Sequence, residues 1–270
     1  MLYTNANINT LDFNAYENVY AVGCSFAKWR WASWADLIAA EVQGNYINLG
    51  KAGAGNLYMQ TIISQLINTN KLSTSKDLLL VMWSTFYRED RYLKNKWHTP
   101  GNIFTASHEF EPNYIMKYAD QRGMTMRDLA IIDTTQRMLE HQSFDSICML
   151  GVGFNAQDYY AGLEYSEESQ DLYEIYNNIK VLQPDLLTFN GGEWPTHYHY
   201  VSDHTGDVTG DYHPSSMVYF DFLKEVGLPM TARSKSLAKY SHEKMLEVNS
   251  EKQFRSNSWP WPEEYIGLGI

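Results

Sequence analysis

The stretch Val19-Tyr20-Ala21-Val22-Gly23-Cys24-Ser25-Phe26 decides how this chain is read. A β-rich apolar run, with polar residues before it and glycine after it, predicts a short buried strand. The glycine turn then presents a serine. Open α/β sheets bind ligands in the crevice at the carboxyl ends of their strands, so Ser25 stands where such a site is built. The same pattern also fits an ordinary strand-to-loop turn whose serine satisfies only local backbone.

The residues that follow extend the pattern. Ser33 can cap a helix, with Asp36 three residues on to complete a capping-box-like pair. Trp34, Leu37, Ile38 and Val42 fall at helical spacing, and Gly44 ends that helix. Tyr46 to Leu49 reads as a second strand and leads into Gly50, Gly53 and Gly55. Met59, Ile62, Ile63, Leu66 and Ile67 mark one face of a second helix over about 56–69. Leu78 to Trp83 is a continuous apolar run, as expected of a strand buried on both faces. The order β-α-β-α-β over the first 85 residues implies a parallel sheet with right-handed crossovers. Strand one should then be central, with strands two and three beside it.

The remaining segments are less regular. Residues 1–17 read as a polar surface arm. Residues 86–122, aromatic and charged, read as an insertion over the site. A helix is expected over about 125–141 and a strand over 146–150, followed by a second, tyrosine-rich insertion at about 155–180. Leu182 to Phe189 is a candidate fifth strand. A histidine-rich loop, 194–213, precedes a helix that starts at Pro214 and turns Met217, Phe220 and Leu223 inward. There is no internal repeat or low-complexity linker. One domain is expected over 1–228, with a charged helical tail over 229–270 that ends in Trp259-Pro260-Trp261-Pro262. Proline lacks the donor a helix interior needs. The tail is therefore expected to pack across the domain or onto a neighbouring chain.

Bulk properties narrow the function. A net charge of −11 over 270 residues argues against nucleic acid and against an anionic membrane surface as partner. No run approaches the ~20 apolar residues needed to span a bilayer. The first ten residues have no basic region and no apolar core, so no signal peptide is read there. Cys24 and Cys148 are too few for a disulfide framework and lie at apolar strand ends.

Four loops converge on one rim of the expected sheet: after strand one (Ser25), after strand two (Gly53), after strand three (Ser84, Thr85) and before the last core helix (His213). Acyl transfer needs such a set. A histidine removes the serine proton, and backbone N–H groups stabilise the oxyanion.

In these residues the chain resembles the SGNH (GDSL-like) hydrolase superfamily. The likeness lies in Gly23-Cys24-Ser25-Phe26, Ser33-Trp34-Ala35-Asp36-Leu37-Ile38, Asn48-Leu49-Gly50-Lys51-Ala52-Gly53 and Asp211-Tyr212-His213-Pro214-Ser215. It covers about 1–90 well and 144–226 loosely, and its flavour is similar to small SGNH-like proteins of tailed phages. The resemblance implies a flavodoxin-like three-layer α/β/α fold and a serine esterase mechanism without metal or cofactor. By position, Ser25 would be the nucleophile, with the amides of Ser25 and Gly53 lining the oxyanion hole. His213 would be the base and Asp211 its orienting acid. The phage likeness also implies a cytoplasmic or virion-associated protein, with a homo-oligomer or virion partner reached through the tail.

Two departures stand out. The family's Gly-x-Asn-Asp block after strand three is replaced by Met82-Trp83-Ser84-Thr85-Phe86-Tyr87-Arg88-Glu89, so Ser84 or Thr85 would have to replace the asparagine as donor. The acid usually lies three residues before the histidine, but position 210 is glycine, and the nearest acids are Asp211 and Asp207.

Several residues carry two readings. Cys24 is an alternative nucleophile or a buried inert thiol. His197, His199, His204 and His213 with Asp203 are a metal set or simply a polar loop. Trp29 and Trp31 stack on a sugar or fill space between helix and sheet. Arg88 binds a substrate carboxylate or pairs with Glu89 or Asp90. With Tyr87, these residues make an aromatic and polar rim suited to a glycan ester. The expected function is removal of a short, acetyl-like acyl group from a carbohydrate. The alternative is a catalytically weakened relative kept as a binding or virion structural protein.

Overall fold

The computed structural model describes residues 1–42, 44–105, 109–153, 170–193, 198–202, 205–248 and 250–256. The elements begin β1 (Leu2–Tyr3), β2 (Asn18–Val22), α1 (Trp34–Ala39), β3 (Asn45–Asn48), α2 (Asn56–Asn68) and β4 (Asp77–Trp83). Next come β5 (Arg91–Leu93), β6 (Lys96–His98), α3 (Pro112–Tyr118), α4 (Gln121–Glu140) and β7 (Asp145–Leu150). The last described elements are α5 (Gln170–Asn178), α6 (Leu186–Phe189), β8 (Tyr198–Val201), β9 (Val208–Asp211), α7 (Ser216–Glu225), α8 (Ala232–Glu247) and α9 (Glu251–Ser256).

Five strands form one parallel sheet in the order β1-β7-β4-β2-β3. The expected β-α-β-α-β unit is present, with β2 between β3 and β4. All seven residues of β4 are buried, and they divide by parity. Leu78, Leu80 and Met82 face a core shared with α1, α7 and α8. Leu79, Val81 and Trp83 face a second core shared with α2, α4 and α5. Side chains alternate across a strand, so a sheet with helices on both faces needs apolar residues at every position. Each buried aliphatic side chain contributes roughly 1.5–3 kcal/mol. The result is the three-layer α/β/α architecture.

Its helices start where the sequence marks them. Ser33 N–H donates to Asp36 Oδ2 at 2.7 Å, closing the capping box of α1. The N-terminus of α2 is capped from the distant insertion: Gly55 and Tyr58 amides donate to the two Asp90 carboxylate oxygens, each at 2.8 Å. A carboxylate at that end also opposes the helix dipole.

Four segments differ from expectation. Residues 1–17 are not a surface arm. Leu2 and Tyr3 pair with Ser146 and Ile147 as an edge strand, and Ile8, Leu11, Phe13 and Tyr16 are buried. The expected fifth strand at 182–189 shrinks to one parallel bridge, Leu182 to Met149. Asp185 then caps α6 by accepting from Thr188 N–H, which turns the chain helical. The insertion at 86–122 is ordered over its described residues as the β5–β6 hairpin, α3 and the start of α4. Finally, α8, which falls within the expected tail, packs into the core more deeply than its charged sequence suggests. Leu237 and Ala238 lie in the main core, and Ser241 Oγ accepts from Ala32 N–H and Ser216 Oγ. The Trp-Pro end of the expected tail lies outside the described residues, as do His197, His204, Asp203 and most of 155–180. Among the described residues, no helix is long and apolar enough to cross a membrane.

Candidate active site

The sheet reverses its strand order between β2 and β4, and α/β sheets place their ligands at such a switch point, beyond the carboxyl ends of the strands. A cavity of about 990 Å³ opens there. Its walls come from Phe26 after β2, Thr85 to Arg88 after β4, Val152 after β7, and the segment Gly210 to His213. The insertion adds Asn102, Phe104 and Gln121.

His213 and Asp211 form its polar edge. Asp211 Oδ1 meets His213 Nδ1 at 2.7 Å and also accepts the His213 backbone N–H at 2.8 Å. With Nδ1 held, Nε2 is the nitrogen left for proton transfer. Asp207 is exposed and does not touch the ring, so of the two acids named by the sequence it is Asp211 that bonds His213. Trp29 lies over the imidazole, with ring centroids 3.6 Å apart and planes 15° apart, and Phe26 meets it edge-on at 5.5 Å.

Ser25 sits in the turn beside Phe26 and is 8% exposed. That turn is fixed by Ala27 N–H donating to Cys24 O and by Lys51 N–H donating to Gly23 O. Gly23 leaves no room for a side chain, because a Cβ there would lie 2.7 Å from the Ala27 methyl. Ser25 Oγ makes no hydrogen bond to His213, and Ser25 itself is not in the cavity wall. The backbone N–H groups of Ser25 and Gly53 donate to no described acceptor. Gly53 has φ +74, and a Cβ on it would stand 2.1 Å from Thr99 O, so only glycine lets the insertion lie against this loop.

The two hydroxyls after β4 part company. Ser84 is buried away from the cavity, its amide donating to Asn56 Oδ1 and its Oγ left without a partner. Thr85 lines the cavity and accepts from Arg88 Nε at 2.9 Å. That contact leaves the Thr85 hydroxyl proton to be donated elsewhere.

Arg88 is also in the wall, with Nη1 donating to Ala54 O at 3.2 Å. Tyr87 completes this side with φ +67, a costly backbone for an aromatic residue. Its amide donates to Asp128 Oδ2, its carbonyl accepts from Ile103 N–H, and its hydroxyl accepts from Thr125.

Trp31 does not reach the site. It is fully buried among Tyr198, Met245, Val248 and Phe254, and its Nε1 donates to Pro214 O. His199 is exposed on β8 opposite Gly210. No group of three or more metal-ligating side chains exists among the described residues. Burial pushes the Cys148 thiol up to about 12, which suits an inert core residue. Sequence reasoning missed Asn102, Phe104, Gln121 and Tyr212 as wall residues. Asn102 offers an Nδ2 without a described acceptor, while its Oδ1 is used by Phe104 N–H. No local motif flags it, because the insertion brings it in.

No protein-family model matches this sequence, and no curated protein does either. Among solved structures, the chain is similar to a lipolytic G-D-S-L family protein from Veillonella parvula. That match has 13% identity, covers 77% of this chain and 97% of the other, and has a TM-score of 0.39. A catalytic mutant of an acetylxylan esterase from Geobacillus stearothermophilus matches at 11% identity, over 81% of this chain and 97% of its own, with a TM-score of 0.43. A Bacillus subtilis protein matches at 11% identity, over 87% of this chain and 57% of its own, with a TM-score of 0.35.

Proposed function

We propose that this protein is a serine ester hydrolase that removes short acyl groups, with a carbohydrate as the alcohol. The observation that carries the reading is the Asp211–His213 pair in the cavity wall, 2.7 Å apart, beside the turn that holds Ser25. In the proposed reaction Ser25 Oγ attacks the ester carbonyl and its proton passes to His213 Nε2. The amides of Ser25 and Gly53 and the Thr85 hydroxyl hold the oxyanion. Collapse expels the alcohol, which takes the proton from His213, and water then releases the acyl group by the same route. Asp211 orients the ring and stabilises the imidazolium.

The acyl preference rests on the wall. Phe26, Trp29, Phe86, Tyr87, Phe104 and Tyr212 offer flat faces, which suit the C–H patches of a sugar ring better than a long aliphatic chain. A chain-length series of aryl esters, run beside acetylated saccharides with wild type and Ser25→Ala, tests this. Acetyl esters should be turned over fastest, and Ser25→Ala should lose nearly all turnover. A preference for chains of about eight carbons or more would reverse the assignment, since each buried methylene adds ~0.8 kcal/mol only where an apolar groove receives it.

One observation favours a second reading, that of a binding or structural relative without turnover: Ser25 and His213 are not hydrogen-bonded. Under that reading acetylated sugars bind, but no ester is cleaved.

A further inference from the structure

Neither acidic sequence neighbour of Arg88 forms an ion pair with it. Glu89 is taken by Arg127 at 3.1 Å and by Arg91 at 3.3 Å. Asp90 is taken by the amide groups of Gly55 and Tyr58 at the start of α2. It stays close enough to feel the Arg88 charge, yet Arg88 makes no ion pair among the described residues. Its guanidinium is held by Thr85 Oγ1 and Ala54 O, two neutral acceptors that fix its direction and leave its charge in place. Nη2 has no described acceptor.

This half-buried cation lines the same cavity as His213. Among the described wall residues the other charged side chain is Asp211, which is occupied by the His213 ring and backbone. Thr85, Asn102 and Gln121 provide neutral polar groups near the aromatic faces. A cavity of about 990 Å³ is far larger than an acetyl group needs and falls at the upper end of small-ligand sites. A pinned guanidinium with donors to spare matches a planar carboxylate, which accepts two parallel N–H bonds.

We propose that the substrate is anionic, an acylated sugar or similar ring bearing a carboxylate that Arg88 binds. This rests on the hydrolase reading for its reaction but not for its binding site. Through space, a chain of net charge −11 repels anions, so the preference has to arise inside the cavity. Long-range repulsion is screened over about 10 Å at 0.1 M salt, where the comparison should be made.

The test is a matched pair: an O-acetylated methyl glucuronoside and its C6 methyl ester, with acetate release as the readout. The two probes share a ring and differ in one charge. Wild type should favour the acid by about tenfold or more in kcat/KM, the size expected of hydrogen bonds to a charged group. Arg88→Gln should lose at least tenfold more on the acid than on the methyl ester, and Arg88→Lys should recover part of that loss. Equal turnover of the two probes by wild type would overturn the proposal. So would equal losses in Arg88→Gln, the result expected if Arg88 only supports Thr85 and Ala54. If wild type cleaves neither probe, the hydrolase reading fails, and titration of the deacetylated pair by calorimetry reads the site directly. Tighter binding of the acid, abolished in Arg88→Gln, would then sustain the carboxylate site. Equal binding would overturn it.

Discussion

Trp29 lies flat against His213, 3.6 Å between ring centroids, while Asp211 grips the same imidazole by its Nδ1 edge. One residue sets the plane of the ring and the other its rotation. Trp29 is itself placed by an edge contact with Trp31 and by Arg30, whose guanidinium lies 5.9 Å from the indole centroid. In the proposed mechanism it would thus position the base as well as form a wall of the cavity. Misplacing a catalytic group by about 1 Å can cost ~100-fold. Trp29→Ala should slow reaction of Ser25 with a small fluorophosphonate by about ten- to a hundredfold, a readout that uses no sugar contact. Trp29→Phe, which keeps a flat ring, should recover most of it. An unchanged labelling rate in Trp29→Ala would show that the stacking does not position the base.

Asp211 bonds both the ring and the backbone of His213, whereas Asp207 is exposed. Asp211→Asn should lower kcat on aryl acetates by about 100- to 10,000-fold, the range set by loss of tautomer and orientation. Asp207→Asn should change it less than about twofold, as a surface substitution away from the site does. The reverse order would move the orienting role to Asp207.

A buried carboxyl beneath the wall predicts a pH dependence of stability. Burial pushes Asp128 up to about 6, although Arg127 pulls the other way. The folded state thus holds this proton more tightly than the unfolded chain does. The contribution to stability is fully present below the ordinary value of 3.8 and is lost as pH rises through about 6. Asp128→Asn titrates nowhere in this range. Its stability relative to wild type should therefore rise between pH 4.5 and 7.5, as read by urea unfolding at both values. A constant difference would mean that Asp128 does not titrate in the folded protein as its burial implies.

The parts of this protein that were legible in its sequence are those with a strong local period. The parity of β4, the Ser33–Asp36 cap and the strand before Ser25 each occupy fewer than ten residues and need no distant partner. The failures have distant causes. Leu2 and Tyr3 are too few to show alternation, and they become a strand only because β7 offers an open edge. Leu182 reads as strand, but Asp185 caps a helix three residues later. Helix α8 reads as a charged tail with sparse apolar positions because its buried positions include Ser234 and Ser241, whose hydroxyls are satisfied by Glu41 and by Ala32 and Ser216. Ser25, Asp211 and His213 stood out by residue type. Trp29 and Trp31 were indistinguishable until packing put one on the imidazole and the other in the core. Asn102 and Gln121 reach the cavity only through the fold of the insertion.

In the proposed mechanism His213 activates Ser25. The most direct measurement is labelling of the intact protein with a fluorophosphonate, followed by mass spectrometry of the modified peptide. One adduct is expected, on Ser25, absent from Ser25→Ala and from heat-denatured protein and strongly slowed in His213→Ala. An unlabelled wild type, or an adduct at another residue with Ser25 unmodified, would contradict it.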